Sequence, residues 1–123
     1  MLINLSNHPS SKWDETQLYE ANRQFGTVDD VPFPNIPPDW DTEEVKTLAR
    51  EYFEKIKFTE KEKGEKPVIH ITGELVFCFI LIQMLLKGGY DCITSTTERI
   101  VTEVNNVKTT VFKFKRFRNY SLI

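Results

Sequence analysis

The chain has 123 residues, of which 40% are hydrophobic and 28% charged, and its formal net charge is -2. This length predicts one domain over residues 1–123, since domains usually contain about 100–150 residues. The charge excludes a general polyanion binder, and the longest uninterrupted apolar stretch, Leu75–Ile82, is much shorter than the about 20 residues that cross a bilayer. We expect a cytoplasmic protein, because the first residues lack a signal-peptide pattern.

The first half of the chain predicts two strands and two helices. Leu2–Leu5 is a short apolar strand, and Ser6–Ser11 is a turn that leads to a helix N-cap. The following helix ends at Gly26, and Thr27–Phe33 is the second strand. Asp41 and Glu44 form a capping-box pattern before a second helix. The apolar positions at helical spacing are Leu18, Ala21 and Phe25 in the first helix and Val45, Leu48, Ala49, Tyr52, Phe53 and Ile56 in the second.

The second half predicts a loop or frayed helix end over Phe58–Lys66 and a buried strand over Pro67–Thr72. Leu75–Lys87 is a helix that is apolar on almost every side, so a neighbouring helix or a dimer partner must cover it in addition to the sheet. The predicted elements that remain are a strand at Tyr90–Thr94 and a hairpin of Ile100–Val104 and Thr109–Phe117 around Asn105-Asn106, with Phe112 and Phe114 on one face. Cys78 and Cys92 are expected to be reduced core thiols.

The order of these elements predicts an α/β protein. Strands that alternate with helices form an open, mostly parallel sheet with helices on both faces. The final hairpin adds antiparallel strands at the edge.

Charge is unevenly distributed along the chain. Val107–Ile123 contains five basic residues and no acidic residue, so residues 1–106 carry a net charge of -7. Two interpretations stay open: the basic segment binds an anion, or it pairs with the acidic body.

Ligands of such sheets bind beyond the carboxyl ends of the strands. Most of the loops predicted there are rich in hydroxyl and amide groups, and Lys12 and Arg99 add positive charge, so phosphate is a suitable ligand. The residues are Ser6, Asn7, His8, Ser10, Ser11, Lys12 and Trp13 in the first loop, Phe33 and Asn35 in the second, Thr72, Gly73 and Glu74 in the third, and Thr94, Ser95, Thr96, Thr97 and Arg99 in the fourth.

Several of these residues also have a structural interpretation. Ser10 and Ser11 suit a helix cap, and Glu74 suits the first turn of a helix. His8 is either an acid–base group or a turn residue, whereas His70, between two isoleucines, is interpreted as a core or sheet-face residue. The chain contains no Gly-x-Gly-x-x-Gly, P-loop or paired acidic metal motif. This argues against dinucleotide redox chemistry, nucleotide hydrolysis and two-metal nucleases, and we expect neither a cofactor nor a metal.

Three stretches carry a resemblance to a known family. Leu2–Ser10, Thr96–Val101 and Lys108–Tyr120 resemble the small accessory proteins of type III CRISPR systems. The resemblance implies a Rossmann-like, CARF-related fold over most of the chain and a homodimer that binds cyclic oligoadenylate. It also implies a ring nuclease that cleaves this second messenger without metal and switches off the antiviral response, with no role in binding DNA or membranes.

The loops and the resemblance together suggest a role for each set of loop residues, stated here as a hypothesis. Ser10, Ser11 and Lys12 hold phosphate; Thr96, Thr97 and Arg99 orient the scissile linkage; and His8 assists proton transfer. Trp13 and Phe33 form the adenine wall, and the remaining loop residues bind substrate.

Three other functions stay open. A sponge or sensor would bind the same ligand without cleaving it. A nucleoside-processing enzyme, similar to a deoxyribosyltransferase, would use Glu74 as its nucleophile. A protein-interaction module would use the basic residues of the C-terminal segment.

Overall fold

The computed structural model describes residues 1–123 as one five-stranded sheet in the order β2-β1-β3-β4-β5. Strands β1 to β4 are parallel, and β5 is antiparallel to β4, as the sequence predicts. The elements are β1 Leu2–Ser6, α1 Glu15–Phe25, β2 Val28–Pro32, α2 Thr42–Lys63, β3 Val68–Thr72, α3 Leu75–Lys87, β4 Cys92–Val104 and β5 Val107–Asn119. No helix is both long enough and apolar enough to span a bilayer.

The helices cover the sheet from both sides. One core cluster joins β1 and β3 to α2 and α3 through residues such as Leu5, Ile71, Ala49 and Phe77. A second, smaller cluster on the opposite face packs Leu2 and Ile93 of the sheet against Ala21 of α1. Every residue of β1 is buried, because this strand is central and covered on both faces.

Helix α2 is longer than the sequence suggests. The capping box of Asp41 and Glu44 is confirmed, but Phe58–Lys63, predicted as a loop or frayed end, continues the helix. Charged residues are good helix formers on a solvated face, and the helix ends only at Gly64, which adopts the left-handed conformation with a φ of 70°.

The prediction of a loop at Thr94–Arg99 is wrong. These residues belong to β4, which runs without interruption from Cys92 to Val104 beside β5. Threonine is β-branched and suits a pleated strand, so its hydroxyl does not indicate a loop. The hairpin turn at Asn105 and Asn106 is confirmed, since both residues have positive φ.

A bulge interrupts the pairing of the two long strands. Thr96 pairs with Arg116 and Thr97 with Phe114, so Lys115 is the extra residue. The extra residue brings Phe114 and Phe117 to the same face of the sheet, where both are buried against α1. Phe112, two residues before Phe114, lies on that face but is exposed.

The N-terminus of α1 also differs from the prediction. Ser10–Lys12 forms a short 3₁₀ turn, and the helix begins later, at Glu15. The cap is Asp14, whose Oδ1 accepts a hydrogen bond from the backbone N–H of Gln17 at 2.8 Å.

Helix α3 has the predicted bounds and packs beside α2. Its other side is open: Leu75 is 83% exposed and Phe79 is 67% exposed. Cys78 and Cys92 are both buried and unpaired, and burial raises the pKa of each thiol to about 12.

Candidate functional site

The strand order places a crevice at one end of the sheet. The chain leaves β1 toward β2 on one side and reaches β3 on the other, so the order reverses between β1 and β3. Ligands of open α/β sheets bind beyond the carboxyl ends of the strands at such a reversal. Ser6 ends β1 and Thr72 ends β3, and the two residues are register partners.

A cleft of about 370 Å³ opens at this position, on the side of the sheet that α1 covers. Its volume lies within the range of small-ligand sites. The cleft is lined by Ser6, His8, Lys12, Trp13, Asp14, Gln17, His70, Thr72, Thr94, Ser95, Thr97, Phe112 and Phe114. Eight of these residues belong to the set that the sequence indicated, namely Ser6, His8, Lys12, Trp13, Thr72, Thr94, Ser95 and Thr97.

A row of polar side chains crosses the sheet at the inner end of the cleft. Asp30, Asn4 and His70 occupy matching positions on β2, β1 and β3. Asn4 Nδ2 donates to Asp30 Oδ1 at 2.8 Å and to the carbonyl oxygen of His8 at 2.8 Å. Asn4 Oδ1 lies 2.9 Å from Nδ1 of His70. Asn4 and His70 are buried, and these bonds satisfy both side chains.

The row continues into the cleft at Ser95. Nε2 of His70 lies 2.6 Å from the Ser95 hydroxyl oxygen, which also accepts a hydrogen bond from Gln17 Nε2 at 2.9 Å. Ser95 therefore connects the buried histidine to the space that a ligand would occupy.

Burial and hydrogen bonding together set the charge states of this row. It lowers the pKa of His70 to about 4, and the nearby His8 contributes in the same direction, so the imidazole of His70 is neutral at pH 7. Burial would raise the pKa of Asp30, but the hydrogen bonds from Asn4 and Ser10 outweigh it and the pKa is lowered. Asp30 is therefore ionised, and it is an acceptor only.

The outer part of the cleft offers one cation and two aromatic rings. The side chains of Lys12 and His8 are exposed at the entrance. Trp13 packs its ring edgewise against His70 at 5.2 Å, and its Nε1 donates to the carbonyl oxygen of His8 at 3.0 Å. Phe112 is 63% exposed and lines the opposite side. Asp14 adds a carboxylate whose Oδ2 accepts from the backbone N–H of Phe114 at 3.2 Å.

Other predicted site residues lie outside the cleft. Asn7, Phe33, Asn35 and Glu74 line a separate shallow depression at the same end of the sheet. The Phe33 ring covers Gly73 so closely that a Cβ there would lie 2.3 Å from it. Glu74 caps α3, where its carboxylate oxygens accept from the N–H groups of Val76 and Phe77 at 3.1 and 2.7 Å.

The positions of the remaining predicted site residues follow from the two corrections above, at the N-terminus of α1 and at Thr94–Arg99. Ser10 donates to Asp30 Oδ2 at 2.8 Å, and Ser11 is exposed, so neither serine caps α1. The Thr96 hydroxyl faces away from the cleft and donates to the carbonyl oxygen of Arg116 at 3.0 Å. Arg99 pairs with Phe112 across the hairpin and shares the face of Thr97, just beyond the cleft.

Sequence reasoning missed Asn4, Gln17, Asp30 and the contribution of His70. A signal was present for two of them, because Asn4 and His70 each stand between apolar residues at the centre of a short strand, whereas Asp30 follows a second aspartate in β2. The contact of Gln17 with Ser95 joins residues 78 positions apart, and no local pattern marks it.

Larger depressions lie elsewhere. One of about 510 Å³ runs between α2 and the sheet, and another of about 550 Å³ follows α3 and the C-terminal residues. Both are lined mainly by apolar side chains. The polar cleft is the better candidate, since it alone of the three contains histidine side chains.

The fold and the cleft define a small α/β protein with a polar, mostly uncharged site at the carboxyl ends of its parallel strands. The chain belongs to the family described as "Uncharacterized protein MJ1673 family", whose model matches residues 1–118. No curated protein and no solved structure shows a significant match to it.

Proposed function

We propose that the protein is a cytoplasmic, metal-independent ring nuclease that binds cyclic oligoadenylate, with a CARF-related, Rossmann-like domain. One observation carries the proposal: Lys12, His8, Thr72 and Ser95 converge on one cleft at the reversal of strand order. Hydroxyl groups and a single cation suit one phosphodiester better than a long polyanion. The resemblance to type III CRISPR accessory proteins supplies the class of ligand.

The cleft supports a division of roles around one nucleotide. Lys12 neutralises the phosphate, while Thr97 in the cleft and Arg99 just beyond it, on the same face of β4, stabilise the charge that develops on its oxygens. His8, exposed at the entrance, is suited to protonate the leaving group. Trp13 and Phe112 offer rings against which adenine stacks, whereas Phe33 is engaged with Gly73 and Phe77.

The size of the cleft supports a homodimer. A space of about 370 Å³ accepts one nucleotide, but a cyclic tetra-adenylate contains four. A two-fold dimer presents two clefts to a ring that has its own rotational symmetry. The open side of α3 is a suitable interface, because Leu75 and Phe79 are exposed near the N-terminus of a helix that starts three residues after β3 ends. That helix end and the cleft lie at the same end of the sheet.

The test is incubation of the purified protein with a large excess of cyclic tetra-adenylate in EDTA. Conversion of many rings per chain into linear products with a 2′,3′-cyclic phosphate supports the ring nuclease. Retention of one intact ring per dimer supports the sponge or sensor instead, and absence of binding to cyclic tetra- and hexa-adenylate overturns the ligand class.

The nucleoside-processing alternative depends on Glu74. The cap geometry disfavours it, because two backbone N–H groups already occupy the carboxylate.

A further inference from the structure

Ser95 lies in a hydrogen-bond chain whose direction is fixed from the buried end. Asp30 is ionised and the carbonyl of His8 is an acceptor, so both N–H groups of the Asn4 amide point to them. The Asn4 oxygen therefore faces Nδ1 of His70 and must accept a hydrogen bond from its N–H group. A neutral imidazole with its proton on Nδ1 leaves the lone pair of Nε2 directed at Ser95.

The hydroxyl of Ser95 has one proton and two acceptor positions. The proton points to Nε2 of His70 at 2.6 Å, and one acceptor position is taken by Gln17 Nε2 at 2.9 Å. One lone pair is left for a group in the cleft that Ser95 lines. Such a serine can accept a proton while its own proton moves to the histidine.

We propose that Ser95 and His70 form the proton-accepting relay of the cleft, with Ser95 as the catalytic group and Asn4 and Asp30 as positioning residues. This inference rests on the proposed function, since it names the base for cleavage of a ribose phosphodiester. It assigns that work to neither His8 nor Thr96.

The relay releases every proton that it accepts, so Ser95 and His70 are unchanged after one turnover. The ribose 2′-hydroxyl gives its proton to Ser95 Oγ while the Ser95 proton passes to His70 Nε2. The 2′-oxygen then bonds to phosphorus, the bond from phosphorus to the 5′-oxygen breaks, and that oxygen takes a proton from solvent or from a protonated His8. His70 returns its extra proton to Ser95, which releases one to solvent in the cleft. The product is an isomer of the ring, with a 2′,3′-cyclic phosphate and a 5′-hydroxyl.

A covalent role for Ser95 fits the structure less well. A nucleophilic serine of a hydrolase stands on a sharp turn that supplies backbone donors for the developing oxyanion. Ser95 instead lies within β4, opposite Phe117 of β5. A ribose phosphodiester also carries its own nucleophile, so the enzyme needs only a base.

The relay has charged neighbours that bear on its pH dependence. His8, Lys12 and Asp14 line the same cleft, and Asp30 contacts His70 only through Asn4. Because burial keeps the pKa of His70 at about 4, the single-turnover rate of His8→Gln, which lacks the proposed leaving-group acid, should be constant between pH 6 and 8. A base with an ordinary histidine pKa would lose activity below about pH 6.5.

The experiment compares wild type, Ser95→Ala, Ser95→Thr, His70→Gln and the Ser95→Ala/His70→Gln double variant. Thr102→Ala is the control, since Thr102 lies further along β4 and its hydroxyl donates to the carbonyl of Thr109. For each protein, calorimetry measures binding of cyclic tetra-adenylate and quenched reactions measure the single-turnover rate.

We expect Ser95→Ala to bind within about threefold of wild type and to cleave about 100-fold more slowly, the size of a lost general base. Ser95→Thr should recover most of the rate, Thr102→Ala should match wild type, and the double variant should be no slower than Ser95→Ala. If His70→Gln does not fold, the serine variants and the flat pH profile still decide the outcome.

Tight binding with unchanged cleavage by Ser95→Ala overturns the relay alone. Tight binding by a wild type that never cleaves overturns the relay and the nuclease activity together, and leaves only the class of ligand. A serine–phosphate adduct detected by mass spectrometry would replace the relay with a covalent mechanism. Absence of binding by wild type overturns the proposed function, and the relay with it.

Discussion

Asn4 and His70 stand opposite each other on the two central strands, and the histidine Nδ1–H donates to the amide oxygen of Asn4 at 2.9 Å. This bond orients an imidazole that burial keeps without charge. It has a consequence for the pH dependence of folding as well as for the cleft.

Folding stability should fall as the pH is lowered from about 6.5 to about 4. The pKa of His70 is lowered by burial to about 4 in the folded state from about 6.5 in the unfolded chain, so the unfolded state binds a proton over this range and the folded state does not. The contribution of neutral His70 to the free energy of unfolding is complete above about pH 6.5. About 3 kcal/mol of that free energy is lost as the pH falls to about 4. Urea unfolding at half-unit pH steps measures it.

The matched variants for that measurement are His70→Gln and His8→Gln. His70→Gln should flatten the dependence of the unfolding free energy on pH. His8→Gln should leave most of it, because burial and not His8 is the larger cause of the lowered pKa. Equal slopes for wild type and His70→Gln would contradict the assignment.

Gly73→Ala should destabilise the fold by about 2 kcal/mol, the usual cost of excess volume in a packed site. A Cβ at this position would lie 2.3 Å from the ring of Phe33, which packs edgewise on Phe77. Denaturant unfolding of Gly73→Ala, Phe33→Ala and the double variant tests the contact. The double variant should lose less than the sum of the single losses, and strict additivity would show that the two residues do not clash.

Phe112→Ala should weaken ligand binding about tenfold and leave stability nearly unchanged. Phe112 is 63% exposed at the side of the cleft, and stacking of a base on an aromatic ring is worth about 1–3 kcal/mol. Phe58→Ala is the matched control, because Phe58 on α2 is 60% exposed and far from the cleft. Equal affinities for the two variants, measured by calorimetry, would remove Phe112 from the site.

Phe79→Glu should convert a dimer into monomers. The ring of Phe79 is 67% exposed on the open side of α3, and a buried carboxylate there would oppose association. Phe58→Glu introduces the same charge on another helix and should leave the dimer intact. Sedimentation velocity separates the two species, and a monomeric wild type would refute this interface.

The sequence predicts most of the fold because its local signals agree with each other. The capping box at Asp41, the apolar core of Leu75–Lys87 and the Asn105-Asn106 turn all mark elements that the structure contains. The hydroxyl content of Thr94–Arg99 favours a loop, but three of its six residues are β-branched threonines, which suit a strand. Its pairing with β5 is non-local, and no property of the run itself reveals it.

The candidate site is less predictable than the fold, because it is assembled between strands. The cleft brings together about half of the residues indicated by the rule of carboxyl-terminal strand ends. Those residues end or follow β1, end β3, or lie within the adjacent strand β4. The sequence indicates a structural role for His70, because a histidine between two isoleucines is usually a core residue. Only the register of three strands shows that Asp30, Asn4 and His70 are aligned.

The most direct test of the central claim is a calorimetric titration of cyclic tetra-adenylate into wild type, Lys12→Ala and Lys61→Ala at two salt concentrations. Lys61 is an exposed lysine in the last turn of α2 and is not part of the cleft. The account predicts saturable binding of one ring per two chains, weakened at least tenfold and made less salt-dependent by Lys12→Ala and unchanged by Lys61→Ala. Absence of binding by wild type, or equal affinity of the two variants, would contradict it.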